Sequence, residues 1–382
     1  MRILLVSSSS GSQGGGELSL AYLAEGLRDR GHVIGLWASG DHAMDGLCER
    51  LKGCAEIFRA PYRNTYQRAL RSLSHCFDRS GDAALAESFA AFRPDVIHLN
   101  KQNLEDGLDL LRACSTVPAT CMVHITQPAS YLQARGAWLR DAIARRALTA
   151  FPGTFLTTPS KRCEELKEFL RGEGRVASCQ NGVPDRAADF VSATRQETRL
   201  ECGISDDAPL VIAVGRLEAQ KLPLRFVDWC SQFAAQNREA RFLWVGSGSL
   251  EEATREAARE AGLEDRFQIT GWVTDVAPYL QAADVYFHSA DFEGMPFALL
   301  EACSAGLPCV LDPRLAAELG LDDKAGILQS SESGLWSRLG DEQARREAGR
   351  KARRLYESEF TLAGMAESFE LAFLETLAAT RR

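Results

Sequence analysis

The sequence predicts two successive α/β domains, each a mostly parallel sheet with helices on both faces. Short apolar or β-rich runs alternate with amphipathic stretches at helical spacing along most of the chain. The alternation lapses in a polar stretch, residues 184–207, and then restarts. The 382 residues are enough for two cores of ordinary size.

The elements follow in order. Ile3 to Val6 form a continuous apolar run, as expected of a strand buried on both sides. A glycine-rich turn leads into a helix with Leu20, Leu23, Ala24 and Leu27 on one face. Arg28 and Arg30 occupy its last turn and Gly31 ends it. Further strands are expected at 33–37, 96–99, 121–124, 155–158 and 176–179, completing a first domain over 1–183. Residues 184–207 read as a linker. Strands at 210–214, 242–245, 267–270, 285–288 and 309–311 then build a second domain over 208–360. Residues 361–382 read as a terminal helix, with packing back on the first domain as its expected place. No short-period repeat is present, which excludes a solenoid. Open α/β sheets bind ligands beyond the carboxyl ends of their strands, so two Rossmann-like domains facing across a cleft place the expected site in that cleft.

Composition excludes several classes. Hydrophobic residues are 45% and charged residues 25%, which argues for a globular chain and against disorder. No apolar run approaches membrane-spanning length, and MRILLV is too short for a signal-peptide core. A cytoplasmic protein is therefore expected, with the inner membrane face as an option. The eleven cysteines include no CxxC pair, so reduced thiols and no metal are expected. Residues 1–180 hold 22 Lys+Arg against 19 Asp+Glu (+3) and the remainder 22 against 33 (−11), giving the net −8. That balance argues against a nucleic-acid partner. It leaves the first half free to face an anionic acceptor or membrane. Residues 59–79 carry Arg59, Arg63, Arg68, Arg71 and Arg79 interleaved with Tyr62, Tyr66, Leu70 and Phe77. Residues 131–146 carry Arg135, Arg140, Arg145 and Arg146 around Trp138 and Leu139. Read as basic amphipathic helices, they suit peripheral association with anionic lipid, or plain solvation while orienting an anionic acceptor.

Three motifs bear on chemistry. In HSADFEGMPFALLEACSAG, residues 288–306, a strand ends near His288, a loop carries Glu293 and Gly294, and a helix begins near Pro296. Its first backbone N–H groups, over Phe297, Ala298, Leu299 and Leu300, are expected to be open to a phosphate or sugar hydroxyl. Glu301 follows Glu293 by eight positions and so falls off its helical face; the pair would grip different parts of one ligand. The plain alternative makes Glu301 a solvated helix residue and Glu293 a partner of the helix dipole. In VGRLEAQK, residues 214–221, Gly215 ends a strand, and Arg216 and Lys221 offer the two cations a diphosphate leaving group requires. Taken alone, they read equally as solvated surface cations. In GSQGGGELS, residues 11–19, Gly14, Gly15 and Gly16 permit close backbone approach to a ligand. It is not GxGxxG, and VGSGSLEEA at 245–253 lacks the third glycine, which disfavours a NAD-dependent oxidoreductase.

Together these residues resemble glycosyltransferase family 4, the retaining enzymes of the GT-B fold. The likeness runs from the Gly14–Glu17 loop through PDVIHLN at 94–100, His124, TPSKRCEEL at 158–166 and QNGVP at 180–184 to VGRLEAQK and the Glu293/Glu301 pair. The resemblance implies Glu293 beside the donor sugar, Glu301 on the nucleotide ribose, and Arg216 and Lys221 on the diphosphate. It implies Gly215 and the Gly271–Trp272–Val273 segment near the nucleotide, and backbone of Gly294, Met295 and Phe297 to Leu300 on phosphate and sugar hydroxyls. From the first domain it implies Gly15, Gly16 and His124 at the donor, with Glu17 and Asn100 toward the acceptor. The donor phosphate itself would accept the acceptor's proton, so neither protein nucleophile, metal nor other cofactor is implied; a UDP-, GDP- or ADP-sugar is the co-substrate. His124 also has a plain reading, a histidine hydrogen-bonded in place at a strand end. Four departures bear on sugar and acceptor: Leu222 follows Lys221 where the family usually has glycine, DPRLAAELG after Leu311 lacks a Gly-Gly, Ile125 follows His124, and Asn100 replaces a frequent histidine near His98. An epimerase or phosphorylase of the same fold, and a non-catalytic sugar-nucleotide-binding protein, are the alternatives.

Overall fold

The computed structural model of the chain describes residues 1–11, 14–187 and 192–380. Ser12 and Gln13 of the glycine-rich turn, residues 188–191 of the expected linker, and the side chain of Tyr66 lie outside them. The chain forms two compact units: Met1–Gly182 with Leu362–Arg382, and Val183–Thr361.

The first unit carries seven parallel strands: β1 (Arg2–Ser7), β2 (Val33–Ser39), β3 (Glu56–Ala60), β4 (Val96–Lys101), β5 (Ala119–Val123), β6 (Thr154–Thr157) and β7 (Arg175–Ser178). Their order is β3-β2-β1-β4-β5-β6-β7. Register runs Ile3 against Ile34 on one side and Val96 on the other. The second unit carries β8 (Leu210–Val214), β9 (Arg241–Val245), β10 (Phe267–Ile269), β11 (Val285–His288), β12 (Cys309–Leu311) and β13 (Ile327–Gln329), ordered β10-β9-β8-β11-β12-β13. Ile3 to Val6 are fully buried, as a central parallel strand requires. Each sheet reverses its winding once, between β1 and β4 and between β8 and β11, and the carboxyl ends at such a point form a natural crevice.

The strands absent from the sequence reading are β3 and β13. Both lie at a sheet edge and are largely half-exposed, so neither shows a buried-strand run. The expected linker contains a helix, Ser192–Glu201, belonging to the second unit. Its anchor is cationic: Arg199, 1% exposed, donates to the carbonyls of Ala282, Ser205 and Ala208 and to Asp284, which Arg195 also holds at 2.7 Å. A buried face built from guanidinium groups leaves no apolar period in the sequence. The terminal helix Leu362–Thr380 packs on Gly15–Asp29 in the first unit; a Cβ at Gly26 would stand 3.0 Å from that of Ala366.

Residues 59–79 do not form the expected amphipathic helix. Arg59 lies in β3 and pairs with Asp45, and the chain then makes short 3-10 turns at Thr65–Gln67 and Arg71–Cys76. Arg68 is spent on Asp109 (2.7 Å) and Asp78 (3.2 Å). In the second basic stretch the helix begins only at Ala137 and runs Ala137–Thr149.

Arg199→Met is expected to destabilise the second unit by about 3 kcal/mol or more, because the buried carbonyls and Asp284 lose a charged donor. Urea unfolding monitored in the second unit would measure it, and an unchanged midpoint would show that the helix is not anchored this way.

Candidate functional site

In the second unit, the loops after β8 and β9 interlock through glycine. Gly215 and Gly246 take φ of +152° and +137°, and a Cβ at Gly246 would fall 2.1 Å from the Gly215 carbonyl oxygen. Leu217 N donates to Ser247 O (2.9 Å), and Trp244 Nε1 donates to Gly215 O (2.8 Å). The glycines of VGSGS therefore serve backbone-to-backbone packing, which accounts for a glycine-rich run lacking the dinucleotide spacing. Gly271 bridges to Gly246 at the same sheet edge, leading into Val273, half-buried, and Trp272, 57% exposed.

The turn Ala219–Lys221 is stitched to the loop after β11. Ser289 Oγ donates to Lys221 O (2.8 Å), Asp291 N to Gln220 O (2.8 Å), and Gln220 Nε2 to Phe292 O (3.0 Å). Lys221 Nζ is thereby brought into an ion pair with Glu293. Their side chains are only 18% and 11% exposed, so water screens the pair less than a surface one. His288 Nε2 lies 3.8 Å from the same carboxylate, and its Nδ1 meets Tyr286 Oη at 3.0 Å. Burial, with the Lys221 charge adding to it, holds His288 well below the usual histidine range, so it is neutral there. Leu222 adopts φ +47°, the left-handed conformation that glycine takes without strain. Arg216 is exposed on the same loop; its charge acts on Glu218, whose carboxylate accepts from Ser249 N and Oγ. Arg216 is thus on the right loop but is not drawn into the Lys221–Glu293 pair.

Gly294 and Met295 are buried, Pro296 is the N-cap, and the helix runs Phe297–Ser304. Two of its expected open donors are already used: Leu299 N and Leu300 N both donate to Pro296 O, at 3.1 and 3.3 Å, because the first turn closes on the cap carbonyl. Phe297 is buried and Ala298 half-buried. Glu301 is not a solvated helix residue. It is 2% exposed, and Arg186 Nη2 donates to its Oε1 at 2.7 Å. Arg186 N is in turn fixed by Ser304 Oγ (2.7 Å), which donates to Pro184 O. Arg186 was missed because it falls in the presumed linker; the QNGVP run just before it was the available signal. Glu293 and Glu301 thus have separate cationic partners.

In the first unit, Gly16, Asn100 and His124 meet at the carboxyl ends of β1, β4 and β5. Asn100 Nδ2 donates to Gly16 O (2.9 Å), which turns its Oδ1 toward His124 Nε2 at 2.7 Å. That arrangement puts the imidazole proton on Nε2 and leaves Nδ1 as an acceptor. Burial holds His124 at about 4, so it is neutral at neutral pH. A Cβ on Gly16 would collide with the Gln102 side chain, 1.6 Å away, while Glu17 is turned back onto Gly14 N (2.8 Å) as a helix-start cap and is buried. Gly15 opens that helix. His98 sits inside β4, bonds Thr120 Oγ1, packs on Phe369 and Phe373, and is pushed down to about 3 by burial.

Two units, each a Rossmann-like parallel sheet with one switch point, give the chain the architecture of the GT-B fold. Residues 13–185 match Glycosyltransferase Family 4, and residues 208–338 match Glycosyl transferases group 1. The chain belongs to the family 4-like glycosyltransferases. It is 34% identical over 150 residues to an Escherichia coli UDP-Gal:alpha-D-GlcNAc-diphosphoundecaprenol alpha-1,3-galactosyltransferase, covering 38% of each chain. It is 32% identical over 235 residues to a Streptomyces fradiae 2-deoxystreptamine N-acetyl-D-glucosaminyltransferase, covering 57% of this chain and 54% of that one. The aligned part spans about half or less of these curated relatives. Among solved structures, Anabaena HepE in complex with UDP and glucose shares the fold at TM-score 0.73 and 18% identity, covering 99% of this chain and 100% of that one.

Both buried histidines of the first unit, His98 and His124, bind a proton more readily once unfolded, so the stability owed to their neutrality is complete above pH of about 6.5. It should fall by about 1.4 kcal/mol per histidine per pH unit as pH drops from there toward about 4. Urea titrations at stepped pH would measure the slope, and His98→Gln should remove about half of it; equal slopes in both proteins would contradict the assignment.

Proposed function

We propose that this chain transfers a sugar from a UDP-sugar to an acceptor hydroxyl, retaining the anomeric configuration. The observation that carries the proposal is the Lys221–Glu293 pair beyond the carboxyl ends of β8 and β11, with Glu301 buried on the helix that follows. In this reading Lys221 and Arg216 neutralise the diphosphate as charge builds on it, the task a divalent ion performs in other enzymes. Glu293 lies beside the donor sugar, tethered so that it cannot swing away. Glu301, oriented by Arg186, accepts from the ribose hydroxyls, and the Gly271–Val273 backbone meets the base. Neutral His124, with Nδ1 as an acceptor, takes a sugar hydroxyl. The acceptor hydroxyl attacks from the face the diphosphate leaves, and a phosphate oxygen receives its proton, so no protein nucleophile is needed. The choice of UDP over GDP or ADP rests on relatives: the galactosyltransferase above is named for UDP-Gal, and HepE holds UDP. Relatives are named for lipopolysaccharide core biosynthesis and for 2-deoxystreptamine, so the acceptor in this reading is a glycan, a glycolipid or a small molecule, met in a cytoplasmic setting.

Thermal shift against UDP-, GDP- and ADP-sugars is expected to single out UDP-sugars, with native-state binding adding about 2.7 kcal/mol at a hundredfold excess over Kd. Glu293→Ala and Lys221→Ala should each lower kcat by about 10²–10³ with folding retained, and EDTA should leave turnover unchanged. Full turnover in either variant, or a strict divalent-ion requirement, would refute the assigned chemistry. Arg186→Met should weaken UDP binding about tenfold and erase the preference for UDP over 2′-deoxy-UDP in calorimetry; a preserved preference would remove Arg186 from the ribose site.

A further inference from the structure

We infer that His288 is a positioning residue whose Nε2–H takes the Glu293 carboxylate when a donor diphosphate draws Lys221, a role that rests on the proposed transfer. In the structure Lys221 Nζ is paired with Glu293, and the proposed chemistry asks the same ammonium to meet a diphosphate. One cation between two anions holds each less firmly than it holds one, so its grip on Glu293 weakens as the donor arrives.

Strand β11 supplies a second donor. Tyr286 and His288 are two apart on the strand and share a face, while Phe287 between them enters the core. Their rings stack with centroids 5.9 Å apart, and Tyr286 Oη lies 3.0 Å from His288 Nδ1. Tyr286 is fully buried; that burial, with the Cys309 thiol and the two glutamates adding to it, pushes its phenol well above the usual range, so it keeps its proton. A buried hydroxyl hydrogen needs an acceptor, and among the described residues Nδ1 is the hydrogen-bond partner that Tyr286 Oη has. With Nδ1 accepting, a neutral imidazole carries its own proton on Nε2.

That Nε2–H is a donor without an acceptor. His288 is 3% exposed, its Nε2 makes no hydrogen bond among the described residues, and Glu293 Oε1 stands 3.8 Å away. The void alongside is about 10 Å³, at the lower limit for a water, and its walls include Ala213, Val214, Trp244 and Phe287, which offer a water little to bond. A carboxylate shift of about 1 Å would satisfy the ring. Such a shift becomes available when Lys221 turns toward the diphosphate. The ring then donates without bringing a charge, because burial and the Lys221 ammonium keep it neutral. Glu293 keeps its full negative charge beside the donor sugar, where positive charge develops on the anomeric carbon as the bond to the diphosphate breaks. A second cation at this place would compete for the diphosphate; a neutral imidazole does not.

The test is nuclear magnetic resonance on the full chain, isotope-labelled on histidine nitrogen, with His288 assigned through His288→Gln. In the free protein the resonance should show the proton on Nε2, and in Glu293→Gln it should move. Addition of UDP should move it too, as Nε2–H closes on the carboxylate. With UDP-glucose as the probe and water as acceptor, His288→Leu should lower kcat about tenfold to a hundredfold, the factor one hydrogen bond to a charged group supplies, with KM changed less than about twofold. His288→Gln, which keeps an N–H donor at that reach, should restore most of the loss. A proton on Nδ1, a resonance that ignores both UDP and the Glu293 variant, or equal turnover in the Leu and Gln variants would overturn the positioning role. A parent chain with no thermal shift by UDP would instead strike the proposed function, and the Glu293→Gln resonance would still decide whether His288 senses that carboxylate.

Discussion

The ion pair between Lys221 and Glu293 is the constraint around which the second unit's site is organised. Neither residue could hold its place alone: a lysine at the end of a 3-10 turn and a glutamate in a loop are both mobile groups by nature. Three hydrogen bonds between the 219–221 turn and the 289–292 loop fix the backbones first, and the charges then meet at short range with little exposure. The interlocked glycines behind them set how deeply the β8 and β9 loops can sit, since any side chain at Gly246 would overlap the Gly215 carbonyl. Leu222 shows how strongly this loop shape is imposed. A β-carbon in the left-handed region costs about 1–2 kcal/mol, and the fold accepts that cost to keep Lys221 in position.

Glu301 presents the complementary problem. A carboxylate only 2% exposed calls for a charged partner, and its own helix, Phe297–Ser304, contains no lysine or arginine. The partner comes from the chain entering the second unit, where Arg186 is pinned by Ser304 and Pro184. Two acids of one motif are therefore held by cations from two distant segments. That arrangement gives each a separate electrostatic setting, as expected if they serve different parts of one ligand.

The first unit solves a different task with uncharged groups. The chain from Gly16 O through the Asn100 amide to His124 sets a tautomer without a carboxylate, so the ring stays neutral and its orientation is fixed. The Asn100 amide donates with its nitrogen and accepts with its oxygen, so one side chain ties the Gly16 carbonyl to the His124 ring.

Much of this was legible in the residues. Parallel-sheet strands buried on both faces announce themselves as apolar runs, so β1, β8, β11 and β12 were readable nearly to the residue. Gly215, Lys221, Glu293 and Glu301 were singled out through the family resemblance of their motifs; spacing alone left each with a plain structural reading. Half-exposed edge strands and a helix anchored by buried arginines carry no such periodicity, and β3, β13 and Ser192–Glu201 went unread for that reason. Partnership was beyond the sequence altogether. That Lys221 meets Glu293 and that Arg186 holds Glu301 depends on separations of 72 and 115 residues closing in space. Local spacing determines which groups a segment can offer; only tertiary packing decides which of them remain available for a ligand.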